Sequence, residues 1–83
     1  MPVNWKSIAD TSLTRAPGIK VSLKGGNFEE FKVSKDLPRL VAQVYDTENP
    51  KFQTLVIGYW LQDGKWVPLA EFAPGVWLYV RPL

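Results

Sequence analysis

The side chains of this sequence that could do acid–base work stand in pairs and short runs. They are Glu29-Glu30 in "FEEFKVS", Ser34-Lys35 at its end, and Asp46, Glu48 and Asn49 in "DTENP". There is no histidine and no cysteine. That removes Ser-His-Asp and Cys-His nucleophiles, together with zinc sites of the usual ligand sets. General acid–base catalysis would fall to carboxylates or lysines. Adjacent residues on a strand point to opposite faces, so Glu29 and Glu30 cannot work as a dyad. Ser34 and Lys35 are neighbours in sequence, which is not the geometry of a Ser-Lys pair. Asp46, Glu48 and Asn49 offer oxygen donors to a hard cation, but the full calcium-loop pattern is missing and a polar turn accounts for them. "KGGN" (Lys24 to Asn27) has the glycines of a phosphate loop without the Gly-Lys-Ser/Thr that should follow, so it reads as a hairpin turn. The expectation is a non-enzymatic protein with no catalytic residues, no metal and no cofactor.

Binding is better represented. The net charge is +2, and residues 1–40 carry seven Lys or Arg against four Asp or Glu. A small β-barrel that binds single-stranded nucleic acid combines a basic groove with rings on which bases stack. Lys20, Lys24 and Lys32 would supply the charge, and Trp60, Trp77 and Tyr79 the rings. Against this, the aromatics gather in residues 41–83, where the charge balance is −1. A total of +2 is also a weak footprint for phosphate binding. Nucleic acid is therefore the alternative partner.

The elements that must position these residues are mostly strands. "IKVSLK" alternates Ile19, Val21 and Leu23 with Lys20, Ser22 and Lys24, the pattern of a half-buried strand. Gly25-Gly26-Asn27 turns the chain, and "FEEFKVS" returns with Phe31 and Val33 in phase. Phe28 is out of phase, which suggests a bulge near Glu29-Glu30 or a longer loop. Before them, residues 4–13 predict a short helix, with Asn4 as N-cap and Trp5, Ile8 and Ala9 on one face. Residues 37–46, "LPRLVAQVYD", fit a strand better than a helix because the stretch is short and rich in Val, although Leu37, Leu40, Val41, Val44 and Tyr45 also match a helical face.

The stretch "TLVIGYWLQDGKWVPLAEF" (Thr54 to Phe72) predicts a hairpin with Asp63-Gly64 as a two-residue type I′ turn. In that register one face carries Leu55, Ile57, Tyr59 and Leu61 opposite Trp66, Pro68, Ala70 and Phe72. The other carries Val56, Gly58 and Trp60 opposite Val67, Leu69 and Glu71. Both faces are apolar through their middle, whereas a hairpin on one core needs only one. "APGV" (Ala73 to Val76) has the order of a type II turn. A tight turn there would conflict with the preceding hairpin, so either a bulge intervenes near Pro68 or the last strand, "VWLYVR", leaves to pair elsewhere.

A chain of 83 residues, 46% hydrophobic and without cysteine, is expected to form one small domain with a thin margin of stability. The initial Met predicts a complete small gene product. Neither a secretory signal nor an apolar run of membrane-spanning length is apparent, and the absence of cysteine leans to the cytoplasm. The predicted fold is a mainly β, small antiparallel barrel or sandwich of five or six strands with a short N-terminal helix. An α+β fold with a helix at about 37–46 is the alternative. The predicted function is a binding or assembly module, an accessory or structural protein that self-associates or docks on a larger protein. Its expected interface is an aromatic sheet face made of Trp60, Val67, Leu69, Trp77 and Tyr79. The N-terminal helix or another chain must cover the hairpin's second face.

Overall fold

Alternating Ile, Val and Leu dominate the strands, and the computed structural model, which describes residues 5–45 and 53–83, arranges them as two antiparallel sheets. Seven strands occur among the described residues: β1 (Trp5–Asp10), β2 (Gly18–Leu23), β3 (Phe28–Lys32), β4 (Val41–Tyr45), β5 (Leu55–Trp60), β6 (Trp66–Phe72) and β7 (Trp77–Pro82). The larger sheet runs β1-β4-β5-β6 and the smaller β3-β2-β7. They stack as an open sandwich, not a closed barrel. The core between them takes Ile19 and Val21 from β2, Ala42 and Val44 from β4, Leu55 and Ile57 from β5, and Phe72 from β6. Phe31 meets Phe72 edge-on across the layers, with ring centroids 6.2 Å apart. That edge-to-face geometry is favourable for two aromatic quadrupoles.

The predicted helix over 4–13 is largely a strand; Asn4 itself lies outside the described residues. β1 pairs with β4, and the only helix among the described residues is the single turn α1, Thr11–Thr14. The reason is a bulge at Ile8: Ser7 pairs with Gln43 and Ala9 with Ala42, leaving Ile8 as the extra residue. A bulge breaks the period of two, and that break made Trp5, Ile8 and Ala9 resemble a helical face. Asp10 caps α1. Its Oδ1 accepts from the Ser12 amide at 3.0 Å and from Arg39 Nε at 3.1 Å, and Arg39 Nη2 donates to Oδ2. The Arg39 bond is the main reason the nearly buried Asp10 carboxyl lies below the ordinary carboxylate value. Thr11 fastens the same corner, its amide donating to the Leu40 carbonyl at 3.0 Å and its Oγ1 accepting from the Leu40 amide at 2.9 Å.

Of residues 37–46, Val41–Tyr45 form the expected strand and the helical alternative is overturned. Leu40 lies in the core, just outside the strand. Asp46, Glu48 and Asn49 lie outside the described residues. β3 pairs with β2 without any bulge, Ser22 opposite Phe28 and Ile19 opposite Phe31. Phe28 was out of phase because it belongs to the outer face. Glu29 and Glu30 occupy successive strand positions, as expected.

The hairpin β5–β6 corrects the predicted turn. Leu61 donates to Lys65 O at 2.8 Å, Gly64 donates to Leu61 O at 2.9 Å, and Gly64 has φ +89°. These are the marks of a three-residue loop, a type I turn followed by a left-handed residue. The pairing at the tip is therefore shifted by one residue from the predicted register, with Trp60 opposite Trp66 and Tyr59 opposite Val67. A bulge at Leu69 then restores the predicted register, and Ile57 meets Ala70 and Leu55 meets Phe72. The conflict at "APGV" resolves both ways at once. The bulge lies beside Pro68, and β7 leaves the hairpin to pair with β2 in the other sheet. Ala73 to Val76 is the turn between them, closed by the Val76 amide on Ala73 O at 3.1 Å, with Gly75 at φ +84° as a type II turn needs.

Candidate functional site

Among the described residues no helix covers the second face of the hairpin; β1 extends the sheet and brings its own tryptophan to that face. Trp5 pairs with Tyr45 and Trp60 with Trp66, so two aromatic pairs stand on the outer side of the larger sheet. Trp5 and Tyr45 meet edge-on, centroids 5.6 Å apart at 87°. Trp60 and Trp66 lie 5.0 Å apart, tilted by 57°. Between the pairs is a cleft of about 460 Å³ lined by Trp5, Gln43, Trp60 and Trp66. Its floor is the outward side of β4 and β5, where Val41, Gln43 and Val56 are buried.

One ring, that of Trp66, lies close over this floor at Gly58. A Cβ on Gly58 would collide with the Val67 carbonyl oxygen and would lie 2.7 Å from Trp66 Cζ2 and 3.1 Å from Pro68 Cα. The Trp66 ring is therefore seated across the glycine backbone, as aromatic side chains do over strand glycines. The rim stays open: Trp5 is 44% exposed, Trp60 42% and Tyr45 36%. Gln43 reaches Ser7 Oγ through Nε2 at 3.4 Å, a long hydrogen bond. Among the described residues the lining carries no ionisable side chain. It offers apolar ring faces, indole N–H donors and one amide, which is the chemistry of recognition.

The five residues predicted to form one interface do not share a surface. Trp60 stands in the cleft. Val67, opposite Tyr59, points to the other side of the same sheet, because the three-residue loop shifts the tip by one position. Leu69 is the exposed extra residue of the β6 bulge. Trp77 lies on the inner side of the smaller sheet, packed against the core, and its indole donates to Gln53 O at 2.9 Å. Tyr79 is on the outer face of the smaller sheet. A hydrogen bond with Ser22, and then the nearby Arg81 charge, hold its hydroxyl below the ordinary phenol value. Lys20 and Lys32 share that outer face, and Lys24 is exposed at its hairpin end. Trp5, Gln43 and Trp66 are the cleft residues that the sequence reading missed, as it missed Tyr45, the edge-on partner of Trp5. Among the described residues there is no group of three or more metal-ligating side chains, and no helix is long and apolar enough to cross a membrane.

No family model, no curated protein and no solved structure matches this chain.

Proposed function

We propose that this protein is a non-enzymatic binding module that docks another polypeptide, a second copy or a larger protein, on the tryptophan face of its larger sheet. The observation that carries the reading is the cleft between the Trp5–Tyr45 and Trp60–Trp66 pairs, with a buried floor and a rim of half-exposed rings. Trp and Tyr are the side chains that most often anchor an interface, since each buries a large area for few rotatable bonds. Trp5, Trp60 and Tyr45 are the open residues, and at about 40% exposure each they leave on the order of 300 Å² of apolar surface, the size at which a patch is often functional. A standard interface buries about 800 Å² per partner, so the cluster would form its centre and the surrounding polar residues its rim. The reading involves no cofactor and no membrane. It assigns the protein to the cytoplasm on its cysteine-free composition alone.

The test has two arms on purified protein, wild type and Trp60→Lys. Light scattering at two concentrations reads self-association, and selection from a displayed peptide library reads docking of another chain. The reading expects a mass that rises with concentration, or enriched peptides, and either should be lost in Trp60→Lys while the fold is kept. A wild type that stays monomeric and enriches no peptide sensitive to Trp60→Lys would refute it.

A further inference from the structure

We propose that the outer face of the smaller sheet is a second binding surface, one for single-stranded nucleic acid. Its register builds two rungs of different chemistry. Ser22 on the central strand β2 is flanked by Phe28 on β3 and Tyr79 on β7. The next rung on the same face places Lys20 between Glu30 and Arg81, and Lys32 follows beyond Glu30 on β3. Phe28 is 54% exposed and Tyr79 50%, unusual for rings on a sheet whose inner face already fills the core. The small Ser22 between them leaves a trough of about 240 Å³. Each ring has a cation over it, on a long side chain that a stacking base would displace toward its own phosphate: Lys20 Nζ lies 4.1 Å from the Phe28 centroid, and Arg81 Cζ lies 5.7 Å from that of Tyr79.

Two open rings alone would suit many ligands. The charge selects among them. Among the described residues Lys20, Lys32 and Arg81 face outward against the carboxylate of Glu30, so the face is positive where the rings are. A chain of planar bases on a phosphate backbone matches both features, with bases on Phe28 and Tyr79 and phosphates on the three cations. A duplex hides its bases in the stack, and a bare polyanion has none, so neither uses the rings. The strand spacing sets Phe28 and Tyr79 roughly 10 Å apart, room for a site of about two to four nucleotides.

Fluorescence anisotropy with a labelled ten-residue oligo(dT) tests this, with a duplex of equal length and a polyphosphate as competitors. Binding is expected in the micromolar range at about 50 mM salt. The slope of log affinity against log salt should be about −2, from three cations at roughly 0.7 each for a single strand. Phe28→Ala or Tyr79→Ala should weaken binding roughly tenfold without altering the slope. Lys20→Gln should make the slope shallower by about 0.7. These side chains lie on the surface, and melting curves verify that the variants stay folded. The proposal is overturned by no binding at about 100 µM protein, the weak end of nonspecific association. It is equally overturned by polyphosphate or duplex competing as well as the oligonucleotide, or by affinity indifferent to Phe28 and Tyr79.

Discussion

Replacing Gly58 by alanine adds one methyl group where the strand pair has no room for it. The new Cβ would overlap the Val67 carbonyl and sit 2.7 Å from Trp66 Cζ2, well inside ordinary contact. Gly58 is paired on both sides, with Val41 on β4 and Pro68 on β6, so the Trp66 ring must leave its seat and β6 must shift. Overpacking of this kind costs about 1–3 kcal/mol, and losing the Trp60–Trp66 pair adds about 0.5–1.5 kcal/mol. The sum is about 1.5–4.5 kcal/mol. At about 4–8 °C per kcal/mol for a domain of this size, the midpoint of thermal unfolding should fall by at least about 6 °C. Circular dichroism reads both consequences, since a close indole pair gives a far-ultraviolet coupling signal that should weaken as Trp66 moves. A variant that melts within about 2 °C of wild type, a shift worth well under 1 kcal/mol, would show that Trp66 does not lie over Gly58.

Gly64→Val tests the left-handed loop position. Nothing lies within 4 Å of a Cβ there, so the expected loss of about 1–2 kcal/mol comes from the positive φ alone, and a neutral melting curve would contradict the loop. Asp10→Asn keeps an N-cap acceptor but removes the charge that Arg39 holds, at a cost of about 1 kcal/mol or less because Arg39 is nearly half exposed. The folded pKa of Asp10 is lowered, so its contribution is complete above the ordinary carboxylate value and is lost as pH falls through the folded one. Melting curves of wild type and variant should therefore differ at pH 7 and draw together as pH falls below about 4, and a difference that does not shrink there would exclude this pair as the cause.

The sandwich was legible because Ile19, Val21, Leu55 and Ile57 keep strict alternation, and alternation maps directly onto one buried face. The turns were legible where Pro and Gly stand together, as at Pro74-Gly75. The face of each aromatic was not, and the cause is local. Bulges leave Ile8, Leu69 and Leu78 as extra residues, and after each one the side chains change sides. Strict alternation would put Val76, Leu78 and Val80 on one face of the last strand, yet Trp77 and Val80 point to the core while Tyr79 points out. At Asp63-Gly64 a two-residue and a three-residue loop both suit the sequence, and the choice decides whether Trp60 stands beside Val67 or Trp66. The greasy second face itself was visible in Val56, Gly58 and Trp60. That Trp5 reaches it could be read only by knowing that residues 5–10 form an edge strand.

The four tryptophans give the most direct test, because their indole N–H protons are separate reporters in a nitrogen–proton correlation spectrum. Three of them, Trp5, Trp60 and Trp66, line the cleft, while Trp77 is bonded to Gln53 O away from it. On a concentration series, or on titration with a selected peptide, the account predicts that the three cleft indoles shift together and that Trp77 stays in place. Shifts confined to Trp77, or a saturating peptide that moves none of the cleft indoles, would contradict it.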